Sequence, residues 1–179
     1  MLFQAYAPFV PPQFGIKLAT EAWERAAHFR LRRAVFCREQ ALFENDDRDA
    51  ADEVASPIVA VDYVMGMAHR VVGTVRIHET APGVWQGSRL AIDPAHRTVY
   101  GLGSGLVYRA VGTALERGCT EFLATVQRAN VPFFRRLAWE ELEAIDLYDR
   151  PHALMRADLA AYPACSEDPV TLLQPRRAS

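Results

Sequence analysis

Between Ser88 and Val107 the chain reads SRLAIDPAHRTVYGLGSGLV, a stretch that permits few local folds. Leu90, Ala91 and Ile92 form an apolar strand end that must stop at Asp93-Pro94. Proline has no N–H for a ladder and pushes the residue before it into extended geometry. Gly101, Gly103 and Gly105 follow, with Leu102 and Ser104 between them. Leu106, Val107, Ala110, Val111, Ala114 and Leu115 then recur at i, i+4 spacing, which predicts one apolar face of a helix closed by Gly118. Such a helix start presents unpaired N–H groups, the positive end of a macrodipole and little side-chain bulk, so a phosphate can approach closely. Arg97 adds a formal positive charge just upstream. A Gly-x-Gly-x-Gly run alone also occurs in ordinary turns; the order strand, Asp-Pro, Arg, glycine turn, helix is what makes the reading specific.

The 179 residues suit one domain spanning 1–179, and half of them are apolar, enough for a sizeable core. A formal charge of −2 argues against a nucleic-acid surface, which calls for a basic excess. Cys37, Cys119 and Cys165 form no Cys-x-x-Cys pair, and no His-x-x-x-His occurs, so neither a disulfide framework nor a metal site is expected. The start, MLFQAYAPFVPPQF, lacks a basic leader region and is broken by prolines before any membrane-spanning length. These features give the expectation of a cytoplasmic protein with no membrane partner; a homodimer is left open.

Along the chain, Pro8, Pro11 and Pro12 make residues 1–13 an irregular arm, and Phe14 to Leu18 reads as a short strand. Thr20 is the expected cap of a helix running to about Gln40, with Trp23, Ala26, Ala27, Leu31, Ala34 and Val35 on its apolar face. The acidic run ENDDRDAADE, Glu44 to Glu53, reads as a solvated loop. Valine-rich strands over Pro57–Val64 and Arg70–His78 flank a Gly66 turn, and a third strand ends at Asp93. After the glycine-turn helix, Thr120–Gln127 is expected to pair parallel with the Leu90 strand, as a right-handed crossover requires. A short helix at Asn130–Leu137, strands near Glu141–Tyr148 and His152–Leu159, and a proline-marked mobile tail at 163–179 complete the prediction.

The segment from Arg97 to Gly103, followed by Gly105 and an amphipathic helix, resembles the coenzyme A site of the GNAT acyltransferases, where Arg/Gln-x-x-Gly-x-Gly/Ala holds the pyrophosphate. One extra residue here separates Arg97 from the first glycine. The element order from Phe14 to Tyr162 is similar too. The resemblance implies an α/β (α+β) fold with a mixed sheet of about six to seven strands, helices on its faces, and a splayed parallel pair between which the pantetheine lies. It further implies backbone pairing from Leu90, Ala91 and Ile92, phosphate contacts from Gly101, Leu102, Gly103, Ser104 and Gly105, and a second motif in Asn130, Phe133 and Phe134. Core packing for the phenylalanines and a capping role for Asn130 remain open on the residues alone.

Two departures bear on chemistry. Phe134 stands where many GNAT enzymes carry a tyrosine acid, and Gln86 where several carry a glutamate base. Neither can exchange the proton. A thiolate of pKa about 8.5 can be protonated by solvent, while the base is sought among Glu39, Glu79, His78 and His152, or an ordered water. The segment Arg33-Ala34-Val35-Phe36-Cys37-Arg38-Glu39-Gln40 resembles the Arg-x-Val-Phe-x-x-Glu-Gln at the acceptor end of some GNAT members. A related series occurs in acyl-homoserine lactone synthases. By that resemblance Glu39, with Asp46 or Asp49, would attract and orient a cationic amine; on the residues alone, Glu39 as a cap or as the partner of an arginine on a solvated face remains open. The phrases VWQGSRLAID and NVPFFRRL resemble a GNAT subgroup encoded beside nitrilases and linked to nitrogen starvation. The expected activity is transfer of an acetyl or short acyl group from acetyl-CoA to a small-molecule amine in a ternary complex, without a metal. The alternatives are lactone synthesis and a noncatalytic coenzyme A sensor.

Overall fold

The structure, a computed structural model, describes residues 13–165 and 171–173. Its elements run β1 (Gln13–Leu18), α1 (Ala22–Arg32), β2 (Ser56–Val64), β3 (Met67–Ala81), β4 (Val84–Ile92), α2 (Leu102–Glu116), β5 (Glu121–Gln127), α3 (Val131–Arg135), β6 (Trp139–Leu147), β7 (Arg150–Ala157) and β8 (Thr171–Leu173). The strands form one mixed sheet in the order β6-β7-β5-β4-β3-β2-β1-β8. Every pair is antiparallel except β4 with β5, which the α2 crossover makes parallel. Helix α2 places Leu106, Ala110, Val111 and Ala114, at most 2 % exposed, on one face of the sheet, and α1 packs on the β2–β4 region.

The expected parallel pairing holds, but at Val84–Gly87 with Glu121–Ala124 and not at Leu90. Beyond Gly87 the two strands part. Arg89, at φ +57°, sits in a bulge where Val75 of β3 faces both Arg89 and Leu90, and a bulge bends its strand. The bend carries Ser88–Ile92 away from β5 and leaves that edge of β4 without a ladder partner.

Helix α1 departs from its prediction in three ways. Glu21, not Thr20, takes the N-cap place, and the Glu24 carboxylate accepts the N–H groups of Thr20 (3.0 Å) and Glu21 (3.1 Å). The helix gives way to a π-helical turn, Arg33–Glu39, whose extra residue per turn lets Val35 and Phe36 both face inward. Trp23 and Ala26 lie outside; the inward face is Glu24, Ala27, His28, Leu31 and Arg32.

The inward polar residues explain why the acidic run is not a solvated loop. Arg32, whose side chain is fully buried, donates from Nε to the equally buried Asp47 (2.8 Å) and from Nη1 and Nη2 to Asp52 (2.5 and 2.9 Å). Asp52 also meets Arg76 at 2.8 Å, Arg76 grips Asp49 through two bonds of 2.7 Å, and Arg89 returns to Asp47 and Asp49 at 3.0 Å. Three arginines and three aspartates thus close a ring that pins the α1–β2 segment to β3 and β4. Beneath it, Thr74 donates its hydroxyl proton to the Ile58 carbonyl, so His28 Nδ1–H donates to Thr74 at 2.5 Å. His28 Nε2 then accepts from Arg32 Nη1 at 2.9 Å.

Burial first, and then the Arg32 charge, push the His28 pKa down from 6.5 to about 3. The folded protein therefore keeps this ring neutral where the unfolded chain protonates it. Its contribution is complete above pH 6.5 and is lost as pH falls from 6.5 towards about 3, with a slope approaching about 1.4 kcal/mol per pH unit. Urea unfolding across that window should show the slope, and His28→Gln should flatten it. A wild-type profile flat from pH 6.5 to 4.5 would mean that His28 takes a proton without cost.

The C-terminal region also departs from expectation. Cys165 N–H bonds the Gly112 carbonyl at 3.0 Å, and Thr171–Leu173 adds an antiparallel edge strand to β1. The arm expected at residues 1–13 lies outside the described residues except for Gln13, which belongs to β1, and residues 166–170 and 174–179 of the tail lie outside them too.

Candidate acyl-transfer site

The gap between β4 and β5 opens into a cleft of about 710 Å3 on the side of the α2 N-terminus. Leu90, Ala91 and Ile92 supply one wall as unpaired strand edge, and Asn130, Phe133 and Phe134 supply the opposite one. Gly101, at φ +83°, turns the chain into α2 through a left-handed conformation that a side chain would strain. The first helical bond is Gly105 N–H to the Gly101 carbonyl at 2.8 Å, which leaves the N–H groups of Gly103 and Ser104 at the helix mouth without a helical acceptor. A Cβ on Gly103 would stand 3.3 Å from Ile92 Cδ1 and 3.4 Å from Phe133 Cζ, so the cleft is narrow at that point.

A second cavity of about 340 Å3 adjoins the first, and Gln40, Leu90, Gln127, Asn130 and Phe134 border both. Gln127 Nε2 donates to Gln40 Oε1 at 2.9 Å, a bridge from β5 to the segment after the π-helical turn. The walls carry Phe36, Phe43, Phe122, Trp139 and Tyr148, with Arg76, His78, Gln86 and Ser88 on β3 and β4 and His152 on β7. Phe43 and Tyr148 meet edge to face at 4.9 Å across the rim, and Arg150 donates to the Gln40 carbonyl at 2.9 Å beside them.

The profile of the acetyltransferase (GNAT) family matches residues 22–139, well over half of the chain. The chain belongs to the GNAT acetyltransferase family. Solved structures with the same fold include a candidate N-acetyltransferase from Lactobacillus plantarum (TM-score 0.72, 22 % identity, covering 82 % of this chain and 98 % of that one). An acyl-CoA N-acyltransferase from Pseudomonas aeruginosa gives TM-score 0.65 at 22 % identity, covering 80 % and 97 %. The CoA-dependent acyl-homoserine lactone synthase BjaI gives 0.63 at 17 %, covering 82 % and 83 %. No curated protein matches the sequence. No helix among the described residues is long and apolar enough to cross a membrane.

Within this GNAT domain, all the residues expected around coenzyme A except Leu102 and Gly105 border the larger cleft. Leu102 is fully buried in the core, and the Gly105 N–H is spent on the helix. Asn130 is exposed and makes no side-chain cap to α3, which leaves its amide at the border of the two cavities. Phe134 is only 6 % exposed and packs edge to face on Phe133 and Trp139, so it is core and cavity wall at once.

The proposed catalytic residues fare unevenly. Glu79 caps the β3–β4 turn by accepting the Gly83 N–H at 2.7 Å and does not border the smaller cavity. Glu39 holds Arg97 in a two-bond ion pair, both bonds 2.7 Å, which keeps its carboxyl below the usual glutamate range. It too lies outside the smaller cavity, and Asp46 faces Arg33 and Arg48 at the surface. Asp49 does border the cavity, but its hydrogen bonds from Arg76 hold its pKa low and occupy it. The carboxylates expected to orient an amine are thus each paired with arginines: Glu39 with Arg97, Asp49 with Arg76 and Arg89, and Asp46 with the nearby Arg33 and Arg48. His78 borders the cavity; burial and then Arg76 lower its pKa, and its Nδ1 is buried without a partner. His152, also on the wall, donates from Nδ1 to the Arg150 carbonyl at 2.8 Å, which leaves the lone pair on Nε2.

Sequence reasoning missed Arg76, Arg89 and Tyr148 altogether. The available signal lay in Glu24, His28 and Arg32, polar residues repeated at i, i+4 on the inward face of α1, which require buried partners elsewhere in the chain.

Proposed function

We propose that the protein transfers an acetyl or other short acyl group from its coenzyme A thioester to the amine of a small molecule, both bound together. The observation that carries this reading is the unpaired edge of β4 from Ser88 to Ile92 leading straight to the free N–H groups of Gly103 and Ser104. An extended amide-bearing chain can pair with such an edge while its phosphates meet the helix mouth. Coenzyme A fits these residues and supplies the activated acyl carbon. Phe133 and Phe134 make the wall beside it apolar. Where the two cavities meet, the amine nitrogen forms its bond to the acyl carbon as the carbon–sulfur bond breaks. The amine proton passes to His152 Nε2, the nitrogen left as acceptor by the Arg150 contact, and the thiolate regains a proton from solvent. His78, on the other wall, is the second candidate for that proton.

Thiol release from acetyl-CoA with an amine panel, together with calorimetry of coenzyme A binding, tests the reading. Binding without turnover would favour the sensor; no binding would end both. The lactone-synthase alternative shares the fold, with no residue contact that favours it. The subgroup encoded beside nitrilases rests on VWQGSRLAID and NVPFFRRL alone, and a cytoplasmic location remains a proposal from the sequence.

The Glu39–Arg97 pair supplies a test of the phosphate end. If Arg97 serves the pyrophosphate, Glu39 competes for it, so Glu39→Gln should tighten coenzyme A binding about two- to fivefold, the scale of an exposed ion pair. Unchanged or weaker binding in calorimetry would remove Arg97 from the donor site.

A further inference from the structure

The acceptor cavity is rich in aromatic surface and has no carboxylate to spare. Its charged wall groups are Arg76, Arg89 and Asp49, and each is bound within the six-membered ring. Arg32, Arg76 and Arg89 balance Asp47, Asp49 and Asp52, so the ring as a whole is electrically neutral. A second ammonium entering this cavity would lose its water and find no unpaired anion, an expensive transfer. A carboxylate on the ligand would fare no better, since the guanidinium groups of Arg76 and Arg89 already face aspartates.

What the cavity does offer is ring surface on several sides. Phe36 and Phe122 stand on its walls, and Phe43 and Tyr148 close its rim edge to face at 4.9 Å. The two rim rings come from separate elements, the segment after the π-helical turn and the β6–β7 turn. Tyr148 sits at φ +55° in that two-residue turn, so its ring can part from Phe43 without disturbing a strand ladder. Glutamine, serine, threonine, asparagine and histidine side chains make up the rest of the polar lining, with no further carboxylate among them, and burial favours the neutral form of His78.

We infer that the acceptor is a monoamine carried on an aromatic or comparably apolar body, its ring held between Phe36, Phe43 and Tyr148. The inference rests on the acyltransferase reading above. A volume of about 340 Å3 accommodates one ring with a short side chain and lies at the small end of ligand sites, roughly 300–1,000 Å3.

The test uses the full chain with saturating acetyl-CoA and three probes: 2-phenylethylamine, spermidine and phenylalanine. Thiol release should favour 2-phenylethylamine over each of the others at least tenfold in kcat/KM. Tyr148→Ala and Phe43→Ala should each raise KM for 2-phenylethylamine fivefold or more, with coenzyme A affinity by calorimetry unchanged. Turnover of spermidine or phenylalanine equal to or above that of 2-phenylethylamine overturns the inference and leaves the acyltransferase reading standing. So does an unchanged KM in both variants. If coenzyme A binds and no amine of any class releases thiol, the acyltransferase reading fails and takes this inference with it.

Discussion

Asp47→Ala is expected to lower the free energy of unfolding by about 3–5 kcal/mol, the range for removing one partner of a buried ion pair. The Asp47 and Arg32 side chains are both fully buried, and the Asp47 carboxylate also meets Arg89 Nε at 3.0 Å. Removing it leaves the Arg32 guanidinium in the interior with Asp52 as its remaining carboxylate, and loosens Arg89 at the bulge that opens the sheet. The loss should exceed by several-fold that of Asp46→Ala, whose carboxylate is exposed and paired only with the partly exposed Arg33 and Arg48. Urea unfolding of both variants decides the matter. A loss below about 1 kcal/mol for Asp47→Ala would show that the ring is not a buried network in solution. Because Arg89 borders the cavity proposed for the acceptor, the same variant should also raise KM for the amine more than that for acetyl-CoA.

Gly103→Glu should weaken coenzyme A binding at least about 100-fold. Two charge-assisted hydrogen bonds are at stake at the Gly103 and Ser104 N–H groups, each worth about 1.5–3 kcal/mol. The new Cβ would stand 3.3 Å from Ile92 Cδ1 and narrow the cleft, and the carboxylate would set like charge against phosphate. Position 103 has no left-handed backbone requirement, unlike Gly101, so the variant should fold. Gly103→Ala separates the effects: a tight contact without charge should cost about tenfold or less, on the scale of one hydrogen bond. Coenzyme A affinity retained in a folded Gly103→Glu protein would falsify the helix mouth as the phosphate site.

The strand-turn-helix core was legible because each step in it is local. Asp93-Pro94 ends a strand by backbone chemistry, Gly101 permits a left-handed turn, and Leu106, Ala110 and Ala114 repeat with the helix period. None of these signals needs a distant residue. The family profile over residues 22–139 agrees with that local reading. The acceptor side was not legible for the complementary reason. Asp47, Asp49 and Asp52 look like a solvated run until Arg32, Arg76 and Arg89 are brought to them from other elements. An arginine partner for Glu39 was one of two readings open in the sequence, but nothing local names Arg97, 58 residues away, as that partner.

The sequence by itself determined which segments are strand, turn and helix around Ser88–Val107, since backbone geometry and hydrophobic period are written residue by residue. Only the tertiary structure decided which charges are paired, where β4 and β5 part beyond Gly87, and that aromatic rings close the smaller cavity. Those features depend on side chains far apart in the chain competing for the same partners, and that competition is settled when the sheet assembles and excludes water from the groups between its layers.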